Sequence, residues 1–240
     1  MASIGYDAAA GAGRPLDGPD GIAAVVRCAL GRPARLGGTR LVAVDGPSGS
    51  GKTSLAEPLA QAIAGAIRGV VVRPERSTDA RTTAAEGDSR DVASYPVCAR
   101  DERPLVTVVS TDLLATWRHP LDWWPTLESH LLAPLAAGLT ATMPVLEWVS
   151  GNPRPGGSIV VPPVDVLVLE GVSSGRRAIA GRLSALAWVE ITDRAARLER
   201  AVARDGEPMR PFLTRWQLDE DSHFAADSTR ARADVVIVPD

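Results

Sequence analysis

"VAVDGPSGSGKTSLA", residues 42–56, joins an apolar β run, an acid, a glycine-rich turn and the start of a helix. Its centre, GPSGSGKT, fits G-x-x-x-x-G-K-[ST], with Gly46, Gly51, Lys52 and Thr53 at the fixed positions. Glycines there let the backbone turn so that successive N–H groups point inward and form an anion nest. The positive end of the following helix adds to it. The context, strand before and helix after, is the one that gives the pattern meaning. A nucleoside triphosphate is therefore expected on Gly46, Ser48, Gly49, Ser50, Gly51, Lys52, Thr53 and Ser54. Lys52 would reach the β and γ phosphates, and the Thr53 hydroxyl would bind Mg²⁺.

Lys52 is the only lysine in the 240 residues; every other basic side chain is arginine. Arginine and lysine are not equivalent at a tight phosphate site, because one is a broad planar fork and the other a compact head on a thin stem. Retaining a single lysine at this position marks a place where only the narrow cation fits.

Outward from this loop, strands alternate with helices. "DGIAAVVRCALG" has helical spacing at Ile22, Val25, Val26 and Leu30, and Leu55, Leu59 and Ile63 give the helix after the loop its apolar stripe. Pro58 falls inside that helix and is expected to kink it. "VVVRP" at 70–74 reads as a short strand, "PLVTVVSTD" as a strand ending in Asp112, and "PTLESHLLAPLAAG" as a helix. "GNPRPGG" reads as a turn-rich loop, "VDVLVLEG" as a buried strand ending in Glu170, and "LAWVEI" as another strand. "DRAARLERAVARD" follows as a helix with Asp193 at its N-cap, and "ADVVIVPD" as a last strand. Continuous apolar strands alternating with helices predict a three-layer α/β/α fold around a mainly parallel sheet. Residues 1–17 read as a flexible tail, 18–240 as one domain, and 74–104 as an insertion within it.

The formal net charge of −3 gives no basic field for nucleic acid. Two separated cysteines, Cys28 and Cys98, form no metal spacing, which suits a reducing cytoplasm. No apolar run reaches the roughly 18 residues of a membrane span, and no apolar signal core opens the chain. A homo-oligomer stays open.

Ligands of parallel sheets sit at the carboxyl ends of the strands, where Asp112 and Glu170 fall. Asp112 is placed to take the proton of an attacking hydroxyl, and Glu170 to assist Mg²⁺ through water. Trp117, His119 and Trp124 cluster in "TWRHPLDWW", and Glu147 and Trp148 precede a loop; all five, with Arg118, are candidates for an acceptor pocket. Arg197, Arg200 and Arg204 share one helix face, which either closes over phosphates as a lid or is a solvated face paired with Glu199 and Asp205.

The order of these pieces resembles the uridine kinase family, in the set that includes phosphoribulokinase and pantothenate kinase. The resemblance covers about residues 21–240: the phosphate loop, "VVSTD", "RHPLDWW" for a "DHP" segment, "PVLEW" for "P-x-Y-D-F", "LVLEG", and "RLERAVARD" for the lid "R-L-x-R-R-x-x-R-D". It implies a P-loop α/β fold and transfer of the ATP γ-phosphate to the 5′-hydroxyl of uridine or cytidine. Asp112 would then be catalytic with Lys52, Arg197 and Arg204, Arg200 would sit on nucleotide, and 193–215 would form the lid. The acceptor side departs from the pattern. Arg118 replaces the acid before His-Pro; Leu146, Glu147 and Trp148 replace the tyrosine, aspartate and phenylalanine; Ala201 replaces the second lid arginine. No "NKxD" guanine motif follows. Two alternatives stand beside a uridine-type kinase: an ATP-binding regulatory switch with no small acceptor, and a kinase for a sugar or acid held by Arg118 and Arg154.

Overall fold

The computed structural model describes residues 14–69 and 105–239. Arg40–Asp45 (β1) lies between two parallel neighbours, Val166–Glu170 (β5) and Leu183–Val189 (β6). A strand paired on both edges and covered on both faces has nowhere to put a polar side chain, hence its continuous apolar run. Val106–Ser110 (β2) adds beside β5 and Val235–Ile237 (β7) beside β6, giving the all-parallel order β2-β5-β1-β6-β7. Alternate residues divide the core. Val42, Val44, Val166 and Val168 face Val25 and Ala29 of Gly18–Gly31 (α1) and Leu55, Leu59 and Ile63 of Lys52–Gly69 (α2). Leu41, Ala43, Leu167 and Leu169 face Leu127, Leu131 and Leu135 together with Trp216 and Phe224 of Arg210–Asp227 (α6). This is the expected three-layer fold.

Several elements differ from expectation. The helix α2 runs through Pro58 unbroken; Pro58 and Ser54 are both exposed, so the carbonyl deprived of its partner faces water. The helix bearing Leu127 and Leu135 is Trp124–Leu127 (α3) and Ala133–Ala136 (α4) joined by a π-turn over Glu128–Leu132. Pro134 has no N–H for the carbonyl of His130, and the ladder loosens there, with Ala133 N–H reaching back to Glu128 O. β2 stops at Ser110, and Asp112 sits in the 3₁₀ turn Thr111–Leu113 that follows.

Of the stretch read as a loop at 151–157, residues 152–157 are instead strand. Ala141–Val149 (β3) and Asn152–Val161 (β4) form an antiparallel hairpin apart from the main sheet. Its two-residue turn, Ser150–Gly151, has φ of 49° and 75°, the geometry whose twist matches paired strands. Pro153 and Pro155 are tolerated because each strand of a two-stranded ribbon keeps one edge free. Helix α6 went unread because its buried stripe of Leu213, Trp216, Gln217, Glu220 and Phe224 contains two polar residues. Of the expected tail, Leu16 pairs with the last strand, its N–H on Val236 O and its carbonyl receiving Val238 N–H. The expected strand at 70–74 and insertion at 74–104 lie outside the described residues.

Candidate active site

The phosphate loop leaves β1 at Asp45 and enters α2 at Lys52. Gly46 (φ 144°) and Gly49 (φ 75°) take backbone angles that residues with a side chain rarely adopt. A Cβ on Gly46 would lie 2.0 Å from Val189 O, and one on Gly49 2.3 Å from Arg197 O. The loop is thus clamped between the end of β6 and the start of Arg194–Asp205 (α5). Lys52 is 7 % exposed and its ammonium donates to Pro47 O at 2.9 Å, folded back across the loop.

Three carboxylates organise the surroundings. Asp45 is fully buried and accepts from the backbone N–H groups of Gly46 (2.7 Å), Ser173 (2.7 Å) and Gly175 (2.8 Å), tying the phosphate loop to the loop after β5. Burial pushes its pKa up to about 6 against those hydrogen bonds. Glu220 of α6, also fully buried, accepts from Ser48 N–H at 3.0 Å and from Ser48 Oγ at 2.7 Å; burial raises its pKa, with the Lys52 charge opposing. Glu170 ends β5 and accepts from Thr53 Oγ1 at 3.3 Å and from Ser110. Burial raises its pKa, and the nearby Asp112 charge adds to the rise. Among the described residues no arginine or lysine bonds Glu170 directly. Thr53, Glu170 and Asp112 offer oxygen donors only, within reach of the Lys52 and Arg204 charges, and a hard divalent cation such as Mg²⁺ fits that set.

The loop, Glu170 and Asp112 open on one cavity of about 630 Å³. Lys52, Thr53, Ser54, Asp112 and Glu170 line it on the phosphate-loop side, and Trp117, Trp148, Trp216, Met209 and Leu213 add an aromatic and apolar wall. Trp117 is the centre of that wall. Its ring meets Trp148 edge-on at 4.9 Å and Trp216 edge-on at 5.6 Å, and its Nε1 donates to Gly151 O at 2.7 Å in the hairpin turn. Trp148 Nε1 donates to Asp112 O at 3.4 Å, so the hairpin is tied to the backbone of the candidate base.

The remaining sequence candidates divide. Ser48, Gly49, Gly51, Arg200 and Arg204 line the cavity. Gly46 and Ser50 shape the loop from beneath it; Ser50 is fully buried. Arg204 is held by Asp205 through two bonds of 2.6 and 2.7 Å, which raise its pKa, so part of the solvated-face reading holds. Arg197 does not join that face: it is buried, and its guanidinium donates to Ile191 O at 2.5 Å, bracing the approach to α5. Trp124 lies outside the cavity, stacked beneath Arg176 and Arg182. His119 is exposed and pairs with Asp122 at 3.1 Å. Arg118 and Glu147 are exposed and outside the cavity lining, Glu147 standing opposite Arg154 in the hairpin register. Glu220, Trp216, Leu213 and Met209 were missed, three of them on the unread α6.

A glycine-rich loop after the first strand of an all-parallel sheet, with Glu170 at the end of a neighbouring strand and Asp112 just beyond another, places the candidate site at the carboxyl ends of a three-layer α/β fold. No family model and no curated protein sequence matches the chain. Among solved structures, a possible uridine kinase from Bacillus stearothermophilus superposes with a TM-score of 0.55 at 16% identity, over 91% of this chain and 98% of that one. A candidate fructose transport system kinase from Silicibacter sp. TM1040 gives 0.46 at 17% identity, over 90% and 98%. The first likeness carries the fold alone. No helix among the described residues is long and apolar enough to cross a membrane.

Proposed function

We propose that the chain transfers the γ-phosphoryl group of ATP to a hydroxyl of a small molecule. One observation supports this above the rest: Lys52, the Thr53–Glu170 pair and Asp112 open on the same cavity, which leaves room for an acceptor beyond them. Lys52 releases Pro47 O and turns to the β and γ phosphates. Thr53 and Glu170 would hold Mg²⁺, which when bound neutralises phosphate oxygens. The acceptor oxygen forms a bond to the γ-phosphorus as the bond to the bridging oxygen breaks; that electron pair leaves on ADP and the hydroxyl proton passes to Asp112. Arg200 faces the loop where charge spreads over the transferring group. A sugar or acid held by Arg118 and Arg154 loses support, since neither lines the cavity.

Calorimetry with MgATP and ADP release over a panel of alcohols test the reading. Asp112→Asn is expected to bind MgATP as the parent does and to lose about 10²- to 10⁴-fold in turnover. No heat from MgATP would remove the nucleotide reading altogether, whereas undiminished turnover in the variant would remove only the base.

A further inference from the structure

The aromatic wall of the cavity is made of three indoles, and two of their three N–H groups are already used. Trp117 Nε1 is committed to Gly151 O and Trp148 Nε1 to Asp112 O. Trp216 Nε1 is buried without a partner, so it too presents no donor to the cavity surface. Met209 and Leu213 complete the wall and are apolar. Among the described residues, no side-chain amide, imidazole or hydroxyl lines this side; the hydroxyls of the cavity, on Ser48, Thr53 and Ser54, all belong to the phosphate side. Of the arginines that line the cavity, Arg204 is bound to Asp205, and Arg200 lies beside Gly51 of the phosphate loop.

Such a wall discriminates by what it fails to offer. A nucleoside or sugar brings several hydroxyls and base-edge groups that lose water on entry and find no partner, a loss worth orders of magnitude in selectivity. A planar apolar body finds three indoles that already meet edge to face with one another, an arrangement in which aromatic rings attract and which a further ring can extend.

Resting on the kinase reading above, we propose that the acceptor is an uncharged alcohol with a planar aromatic body, its hydroxyl directed at Asp112 and its ring against Trp117, Trp148 and Trp216. The transfer is the one already written: an aromatic alcohol and ATP give the phosphate monoester, ADP and a proton. The edge-to-face contact of Trp117 and Trp148 ties this specificity to the hairpin, because Trp148 stands on β3 and is 38 % exposed, free to be changed without opening the core.

The test uses the full chain with MgATP present and measures tryptophan fluorescence and ADP release for 2-phenylethanol, 4-hydroxybenzyl alcohol, uridine, cytidine, ribose and pantothenate. The aromatic alcohols are expected to quench fluorescence and to be phosphorylated with kcat/KM at least about ten-fold above the nucleosides and sugar. Trp148→Ala is expected to lower that value about ten-fold, with Trp148→Phe restoring most of it and MgATP affinity unchanged in both. Efficient phosphorylation of uridine or ribose, or saturating MgATP binding with no response to either aromatic alcohol, overturns the inference while leaving nucleotide binding in place. Loss of MgATP binding by the parent protein instead removes the underlying kinase reading.

Discussion

Lys52 illustrates how much one side chain can carry. Its stem is buried against the loop and its head turns back onto Pro47 O, so the space available is that of an ammonium group. An arginine there must fit a planar fork where a single rotatable head now sits. Lys52→Arg is therefore expected to lower turnover by about 10²-fold or more while MgATP still gives measurable heat, a split readable from ADP release beside calorimetry. The preference for arginine elsewhere made this lysine conspicuous in the sequence. Arg197 shows the opposite. Its spacing with Arg200 and Arg204 put it on a lid face, yet the register at the start of α5 points it at the carbonyl of Ile191. Spacing along a helix orders residues on faces; it does not say where an arginine near the N-terminus finds unpaired carbonyls.

Helix α6 does the work of joining two parts of the site. Leu213 and Trp216 supply the cavity wall, and Glu220, one turn on from Trp216, holds Ser48 of the phosphate loop. Glu220→Ala leaves the half-buried Ser48 N–H and hydroxyl without their charged acceptor, at a cost of about 1–3 kcal/mol. Urea unfolding is expected to show that loss, and hydrogen exchange to show faster exchange at Ser48 and its neighbours. An unchanged midpoint and unchanged loop protection would remove this role. The helix escaped detection because Gln217 and Glu220 interrupt its apolar stripe, and a polar residue buried by a distant partner looks exposed in sequence. The hairpin β3–β4 escaped for a related reason. Prolines and glycines in "GNPRPGG" signal a loop, and only the Ser150–Gly151 turn with its free strand edges makes them compatible with pairing.

The molecule as a whole is organised so that buried acids tie the loops at one sheet edge, and this sets its response to pH. Asp45 carries the clearest sign. Its folded pKa of about 6 lies above the ordinary aspartate value, so between roughly pH 4 and 6 the folded state keeps a proton that the unfolded state has lost. Its contribution to stability is complete below that window and falls as pH rises through it, by about 1.4 kcal/mol for each unit of displacement. The stability of the parent relative to Asp45→Asn, measured by urea unfolding from pH 4 to 7, is expected to fall across that window and then level. A difference that rises or stays flat contradicts it. What the sequence determined alone was what depends on neighbours in the chain: the glycine-rich loop between a strand and a helix, the alternation of apolar strands with helices, Glu170 at a strand end, and thus the fold class. What the tertiary structure decided was which side chains share a space: that Glu220 rather than a loop residue holds Ser48, that Trp216 joins Trp117 and Trp148, and that Trp124, His119 and Arg197 stand apart. Those pairings bridge residues far apart in the chain, and their energy comes from burial and partner geometry, which no local pattern records.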